Sequence, residues 1–272
     1  MPSSYAHYRM GQEVRRNVNN HAKRIIELYP ELFLIGVHGP DILFYYKPLG
    51  KNIVNQTGYG LHKRPGSEFF MRAADVIRQH RGEEAYLSYV YGVICHFALD
   101  VTCHAYIEEK IRKSGISHAE IEVEFDRELL VRDGYDPIRK KLTTHIVPSK
   151  ENAEVIKDFY SCISAEQVRK ALKGMLFYTN FLVTPSKVKR NLIYTGLKIA
   201  GHYEGMHGHI VNYEKNPACS DSTDRLLTLY PKAEQLAVKL IEEFEEYLEG
   251  EKPLNEIYQY TFGGVLPESE AK

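Results

Sequence analysis

From Ala85 to Ile107 the chain reads AYLSYVYGVICHFALDVTCHAYI, a run without a single Lys, Arg or Glu. As a helix it is long enough to cross a membrane. It also carries His96, Asp100 and His104, and the chain has no second run like it, so the reading is a helix buried in a large soluble core rather than a span. At ~100° per residue the three ionisable side chains fall within ~80° of one another, on one helix face. The positions around them are apolar or small, and burying two imidazoles and a carboxylate there is costly unless each is compensated. A metal cluster compensates all three together. His96 and Asp100 stand at i and i+4, which lets a nitrogen and an oxygen from consecutive turns reach one zinc at about 2.0 to 2.2 Å. His118 and Glu122 repeat the spacing. One such pair is more often a surface pair, but two close in sequence, one of them on a nearly uncharged helix, point to metal.

Working outward, the helix is expected to start near Glu84 and to fray by Lys113, with Gly115 as its left-handed terminator. Ser117 and Glu120 form a capping box that opens the next helix, which runs to about Arg132 and places His118 and Glu122 in its first two turns. If the two helices fold directly back on each other, His118 lies on the order of 10 Å further along the axis than His104. The first helix must therefore end soon after Tyr106, or the two must cross at an angle.

Upstream, Met10, Gly11, Val14, Val18, Ile25 and Leu28 follow the period of an amphipathic helix, with His7 on the same stripe. Pro30 and the Gly36 to Pro40 stretch interrupt it. Gly39-Pro40-Asp41 reads as a turn that presents Asp41 just before apolar Ile42 to Tyr46. A polar, glycine-rich loop is expected from Lys47 to Gly66, with His62 inside it, and Ser67 is expected to cap the helix after it. Downstream, Ser164 with Gln167 is a second capping box, and Ala233, Leu236, Leu240, Phe244 and Tyr247 form a closing helix ended by Gly250. Nothing alternates as a strand would. The expectation is an all-α, single-domain multi-helix bundle over residues 1–272 that encloses a metal cluster, with the ligand region at 7–122.

The formal net charge of -1 argues against a strongly basic nucleic-acid binder. Basic clusters at Arg139 to Lys141 and Lys187 to Arg190 fit solvated faces that can touch phosphate. Cys95, Cys103, Cys162 and Cys219 show no Cys-x-x-Cys spacing and read as free thiols. Met1 to Met10 lacks the apolar run of a secretory signal, which together with the thiols gives a cytoplasmic expectation. His202, His207 and His209 fall in a glycine-containing stretch read as a flexible loop. The oligomeric state has no signature in the sequence.

An N-terminal His7, a loop Asp41, His62, His96-x-x-x-Asp100, His104 and His118-x-x-x-Glu122, in that order, resemble the zinc-dependent phospholipase C family. Gly39-Pro40-Asp41 and His104-Ala105-Tyr106-Ile107 are also similar to family segments, although the family often has His-Pro-Tyr where Ala105 stands. The resemblance implies three zinc ions. Asp41, His62, His96 and Asp100 would bind one, and His104, His118 and Glu122 a second. The third would use His7, a bridging Asp100, and the amine and carbonyl of the N-terminal residue, here Pro2 once Met1 is removed or Met1 itself. It further implies phosphodiester hydrolysis of a phospholipid or small diester, with Asp41 as general base or as ligand alone. A nuclease or nucleotidase on the same three-zinc site and a non-catalytic metal-binding protein are the alternatives. Tyr45, Tyr46, Tyr59 and Phe70 flank the ligands as candidate lining for a base or a lipid pocket.

Overall fold

A computed structural model describes residues 4–267. Its α-helices are α1 (Ser4–Asn17), α2 (Asn20–Leu28), α3 (Pro30–Gly36), α4 (Ile53–Leu61), α5 (Gly66–Gln79), α6 (Glu84–Ser114), α7 (His118–Arg132), α8 (Lys150–Lys157), α9 (Ala165–Leu182), α10 (Lys187–Ile199), α11 (Tyr203–Met206) and α12 (Ser220–Leu248). Short 3₁₀ segments at Gly39–Tyr45, His207–His209, Pro217–Cys219 and Glu256–Gln259 link them. The described residues include no strand, and one isolated antiparallel bridge joins Pro65 to Thr261. The fold is all-α.

The quoted stretch is the axis of this fold. α6 packs against α12 and α3 most extensively, and against α2, α1 and α5 besides. It is long and apolar enough to cross a membrane, yet 78% of its most apolar window is buried inside the protein. Phe70 of α5, Phe97 of α6 and Tyr258 of the last 3₁₀ segment meet with ring centroids 4.3 to 5.6 Å apart, and Phe244 of α12 joins Phe70 at 6.1 Å. Each fully buried aromatic contributes on the order of 1.5 to 3 kcal/mol, and the nexus pins α6 one residue from His96.

Gly115, in the left-handed region at φ 72°, ends α6 as expected, and the Ser117 hydroxyl accepts from the Glu120 amide to open α7. α6 does not end after Tyr106, so the α6–α7 pair meets at an inclination. The box at Ser164 and Gln167 forms in both directions.

Several boundaries differ from the sequence reading. The first amphipathic stripe is two helices, because the Asn19 side chain accepts from the Ala22 amide and caps α2. The stretch from Lys47 to Gly66 is not a continuous loop. Asn52 and Asn55 form a reciprocal cap that starts α4, and His62 is its C-cap residue. Gly58 is there for space, since a β-carbon would stand 2.9 Å from Phe44. α5 begins at Gly66 behind Pro65, with Ser67 buried in its first turn rather than capping it. The closing helix starts earlier than its apolar stripe suggests, at Ser220. The histidine-rich stretch is α11 followed by a 3₁₀ turn, not a loop, with His207 Nδ1 2.9 Å from the Tyr203 carbonyl.

Candidate metal centre

His96, Asp100 and His104 lie on one face of α6, with His96 and Asp100 buried and His104 nearly so. Four elements bring their partners, α1 with His7 among them. The 3₁₀ segment at Gly39–Tyr45 brings Asp41, α4 ends on His62, and α7 opens with His118 and Glu122. Gly39 makes the approach of Asp41 possible: its φ is +49°, and a β-carbon there would fall 2.4 Å from the His96 ring.

The eight side chains form one chain of contacts. His62 Nε2 lies 2.9 Å from Asp41 Oδ1, and His96 Nε2 lies 3.7 Å from Asp41 Oδ2 and 3.1 Å from Asp100 Oδ2. Asp100 Oδ1 is 3.3 Å from His7 Nε2 and 3.6 Å from His104 Nε2. Glu122 Oε1 then lies 3.4 Å from His104 Nε2 and 3.0 Å from His118 Nε2. Asp100 is the hub, touching three imidazoles.

These contacts leave much of the cluster's hydrogen-bonding capacity unspent. Both oxygens of Asp41, both ring nitrogens of His96, Asp100 Oδ2, Glu122 Oε2 and His7 Nδ1 are buried with no hydrogen-bond partner. Left so, each buried group costs on the order of 1 to 3 kcal/mol, more for a charged one. Donor atoms ~2.1 Å from a tetrahedral ion stand about 3.4 Å apart, close to most of the separations above. Ligand atoms gather within 4.8 Å of one another in three groups: His7, His96 and Asp100; Asp41, His62 and His96; His104, His118 and Glu122. The third group matches the expected second site. In the other two His96 is common, where the expectation had Asp100 as the shared residue. Met1 and Pro2, expected at the third ion, lie outside the described residues.

The outer contacts orient the rings. His62 Nδ1 donates to the Gly58 carbonyl at 2.8 Å and His104 Nδ1 to the Phe262 carbonyl at 3.0 Å, which leaves each Nε2 lone pair facing the cluster. His118 Nδ1 lies 3.4 Å from a Glu108 carboxylate oxygen. With no metal bound, burial opposes the charged form of His104, but the Asp100 and Glu122 carboxylates outweigh it and lift its pKa to about 10, so a metal ion would have to displace the Nε2 proton. Burial likewise works against Asp100 and Glu122, and the surrounding imidazoles still hold both carboxyls below their ordinary range. His118 is raised chiefly by Glu122.

Four further residues escaped the sequence reading. Asp126, four residues after Glu122 on α7, accepts from the Tyr5 and Ala6 amides at 2.9 and 2.8 Å, so its carboxylate sits at the start of α1 and sets His7 in place. The i+4 spacing from Glu122 was its available signal. His38, whose carbonyl accepts from the Asp41 amide, holds His145 at 2.7 Å between Nε2 atoms. Burial pushes both rings below the ordinary imidazole range, His145 to about 4, so the pair shares one N–H as neutral rings. His145 had no local signal. Phe262, from the C-terminal segment, places its ring 5.4 Å from His62 and 5.7 Å from His96. Of the flanking aromatics, Tyr45 and Phe70 are core, and Tyr59 is exposed, stacked at 4.4 Å on Phe44, which in turn touches His62. His202, His207 and His209 form no ligand group among the described residues.

The family model described as zinc dependent phospholipase C matches residues 6–173, which covers all eight ligand positions. No curated protein and no solved structure matches the chain.

Proposed function

The chain belongs to the zinc-dependent phospholipase C family, and from that premise we propose that it hydrolyses phosphodiesters, with a phospholipid that loses its phosphorylated headgroup as the substrate. The observation that carries this reading is Asp100, a buried carboxylate within 3.6 Å of three imidazoles, in a cluster where both Asp41 oxygens, both His96 nitrogens and Glu122 Oε2 lack hydrogen bonds. Asp41, His62 and His96 would hold one zinc, His104, His118 and Glu122 a second, and His7 with Asp100 a third. Zinc held there would polarise the non-bridging phosphate oxygens and lower the pKa of a coordinated water toward neutrality. The Asp41 carboxylate, which spends neither oxygen on a hydrogen bond, is the group of this chain assigned to hold a proton as general base. The backbone carbonyls of Gly58 and Phe262 keep His62 and His104 in the ligating tautomer. The Tyr59–Phe44 ledge beside His62 offers an apolar wall to the substrate.

Metal analysis of the purified protein, run beside a panel of phospholipid, single-stranded DNA and a chromogenic diester, tests the proposal. The expected outcome is roughly two to three zinc per chain and turnover of phospholipid and chromogenic diester that chelation abolishes. Zinc-loaded protein that turns over none of the three sinks the reading, and turnover of DNA alone moves the chain to the nucleases.

A further inference from the structure

Between Gln167 and Tyr203 the chain carries seven Lys or Arg and no Asp or Glu, in a protein whose net charge is -1. This segment comprises α9 and α10, and its exposed side chains are not polar throughout. Val188, Leu192 and Ile199 of α10, at i, i+4 and i+11, are between 69% and 83% exposed, and Phe177 and Phe181 of α9 are exposed as a stacked pair 6.1 Å apart. Lys189 lies over the Phe181 ring and ties the two helices' faces together. Exposed Lys170, Lys173, Lys187 and Lys198 rim the apolar side chains. Tyr178 borders the loop at Lys47, Leu49 and Lys51, where Leu49 is 83% exposed and no acidic residue occurs between Ile42 and Ser67.

Single exposed apolar residues are ordinary on a soluble surface. Here α9 and α10 each expose large apolar side chains beside lysines, in a segment without acidic residues, the composition of helices that lie in a lipid–water interface. We propose that α9 and α10, with the Leu49 loop, dock the protein on an anionic lipid surface. Charge selects the partner: lysines close to a negatively charged leaflet are attracted to it, and the aliphatic stripe enters the acyl boundary, where a nucleic-acid backbone would gain nothing from Val188, Leu192 or Ile199. The placement suits the centre already described. The Leu49 loop joins the segment carrying Asp41 to the helix ending on His62, and α9 packs closely on that Asp41 segment, with Gly174 against the Tyr45 carbonyl. The inference deepens the phospholipid reading and rests on it for the direction of substrate approach, while binding itself is measured apart from hydrolysis.

Flotation with vesicles of phosphatidylcholine alone, and with phosphatidylserine added, is the test, at low and high salt and in the cold. The whole protein should float with the anionic vesicles and be released by salt. Leu192→Ser with Ile199→Ser should weaken binding roughly tenfold or more. Lys173→Gln with Lys187→Gln should weaken it on the order of 25-fold, about fivefold per lysine. Both variants change exposed positions, so their melting temperatures and turnover of a soluble chromogenic diester should match the parent. Failure of the parent to float, or variants that float equally well, overturns the proposal. So does vesicle binding that survives in the variants while single-stranded DNA binding or a concentration-dependent dimer is lost. A protein that floats but hydrolyses no diester removes the hydrolase reading alone, and one that hydrolyses but does not float removes the docking face alone.

Discussion

α6 and α12 are the two longest helices of the molecule, pack on each other, and spend their polar residues in opposite ways. α12 keeps an ordinary division: Leu226, Ala233, Ala237, Leu240, Ile241 and Phe244 are buried, and its glutamates and lysines face outward. It carries Pro231 inside, which removes one backbone hydrogen bond and leaves packing to hold the helix. α6 is apolar nearly all round and puts two histidines and an aspartate into the interior. A polar group buried on a helix that has solvent available elsewhere is there for chemistry, and an apolar stripe with a charged back is scaffold. Substitutions in α6 should therefore move metal content and rate, and substitutions in α12 stability alone.

The largest effect is expected at the hub. Asp100→Asn should cost the protein more than one zinc, because a single carboxylate touches His7, His96 and His104. Metal analysis of the folded variant reads this directly, and zinc content equal to the parent would break the contrast at its centre. Asp41→Asn comes next. As a base it should lower turnover by ~10² to 10⁴ while most of the zinc remains. Equal losses of zinc and rate would make Asp41 a ligand only, and an unimpaired enzyme would remove it from both roles.

The same contrast explains what could be read from the sequence. α6 and α7 were legible because their signals are local: an uncharged run, a glycine stop, a serine cap and two i, i+4 pairs. The candidate ligand set stood out because it follows an ordered pattern of residue types, and the structure gathers all eight positions. α4 was missed because an Asn-x-x-Asn cap does not look like the usual serine and glutamate box, and because Gly58 and Gly60 resemble loop residues when one of them only clears space for Phe44. Asp126, His145 and Phe262 act across more than a hundred residues of chain, and long-range partners cannot be read from local spacing, so even the i+4 step from Glu122 to Asp126 does not name its partners on α1. The Phe262 contact also lies beyond residue 173, outside the stretch the family model covers.

On the scaffold side, Phe244→Ala should destabilise the protein by about 3 to 5 kcal/mol, the usual cost of a large cavity among buried aromatics. Phe244 is fully buried against Phe70. Denaturant unfolding measures the loss, and zinc per folded chain should stay unchanged. A Phe244→Ala protein of normal stability that has lost metal would show α12 to be part of the centre and not its support.

The smallest effect concerns the charges that tie α1 to the outer shell. Asp133, just past the end of α7, accepts from the Tyr5 hydroxyl at 2.6 Å and from Arg9 Nε at 2.8 Å, and the Arg9 guanidinium lies 5.5 Å from the Tyr230 ring of α12. Burial raises the Asp133 pKa, but its bonds to Arg9 and Tyr5 outweigh that and leave it below the ordinary value. A carboxyl depressed in the fold stabilises it fully above its unfolded pKa, near 3.9, and loses that contribution as pH falls through the folded value. Asp133→Asn should therefore melt lower than the parent at neutral pH, by no more than ~3 °C because exposed ion pairs are weak. The gap between the two proteins should close as pH drops below about 4. Zinc leaves both proteins as their ligands protonate, so that loss is common to the pair and cancels in the difference. A gap that persists unchanged into acid would mean that Asp133 acts through shape and not charge, and would remove the electrostatic tie between α1 and the end of α7.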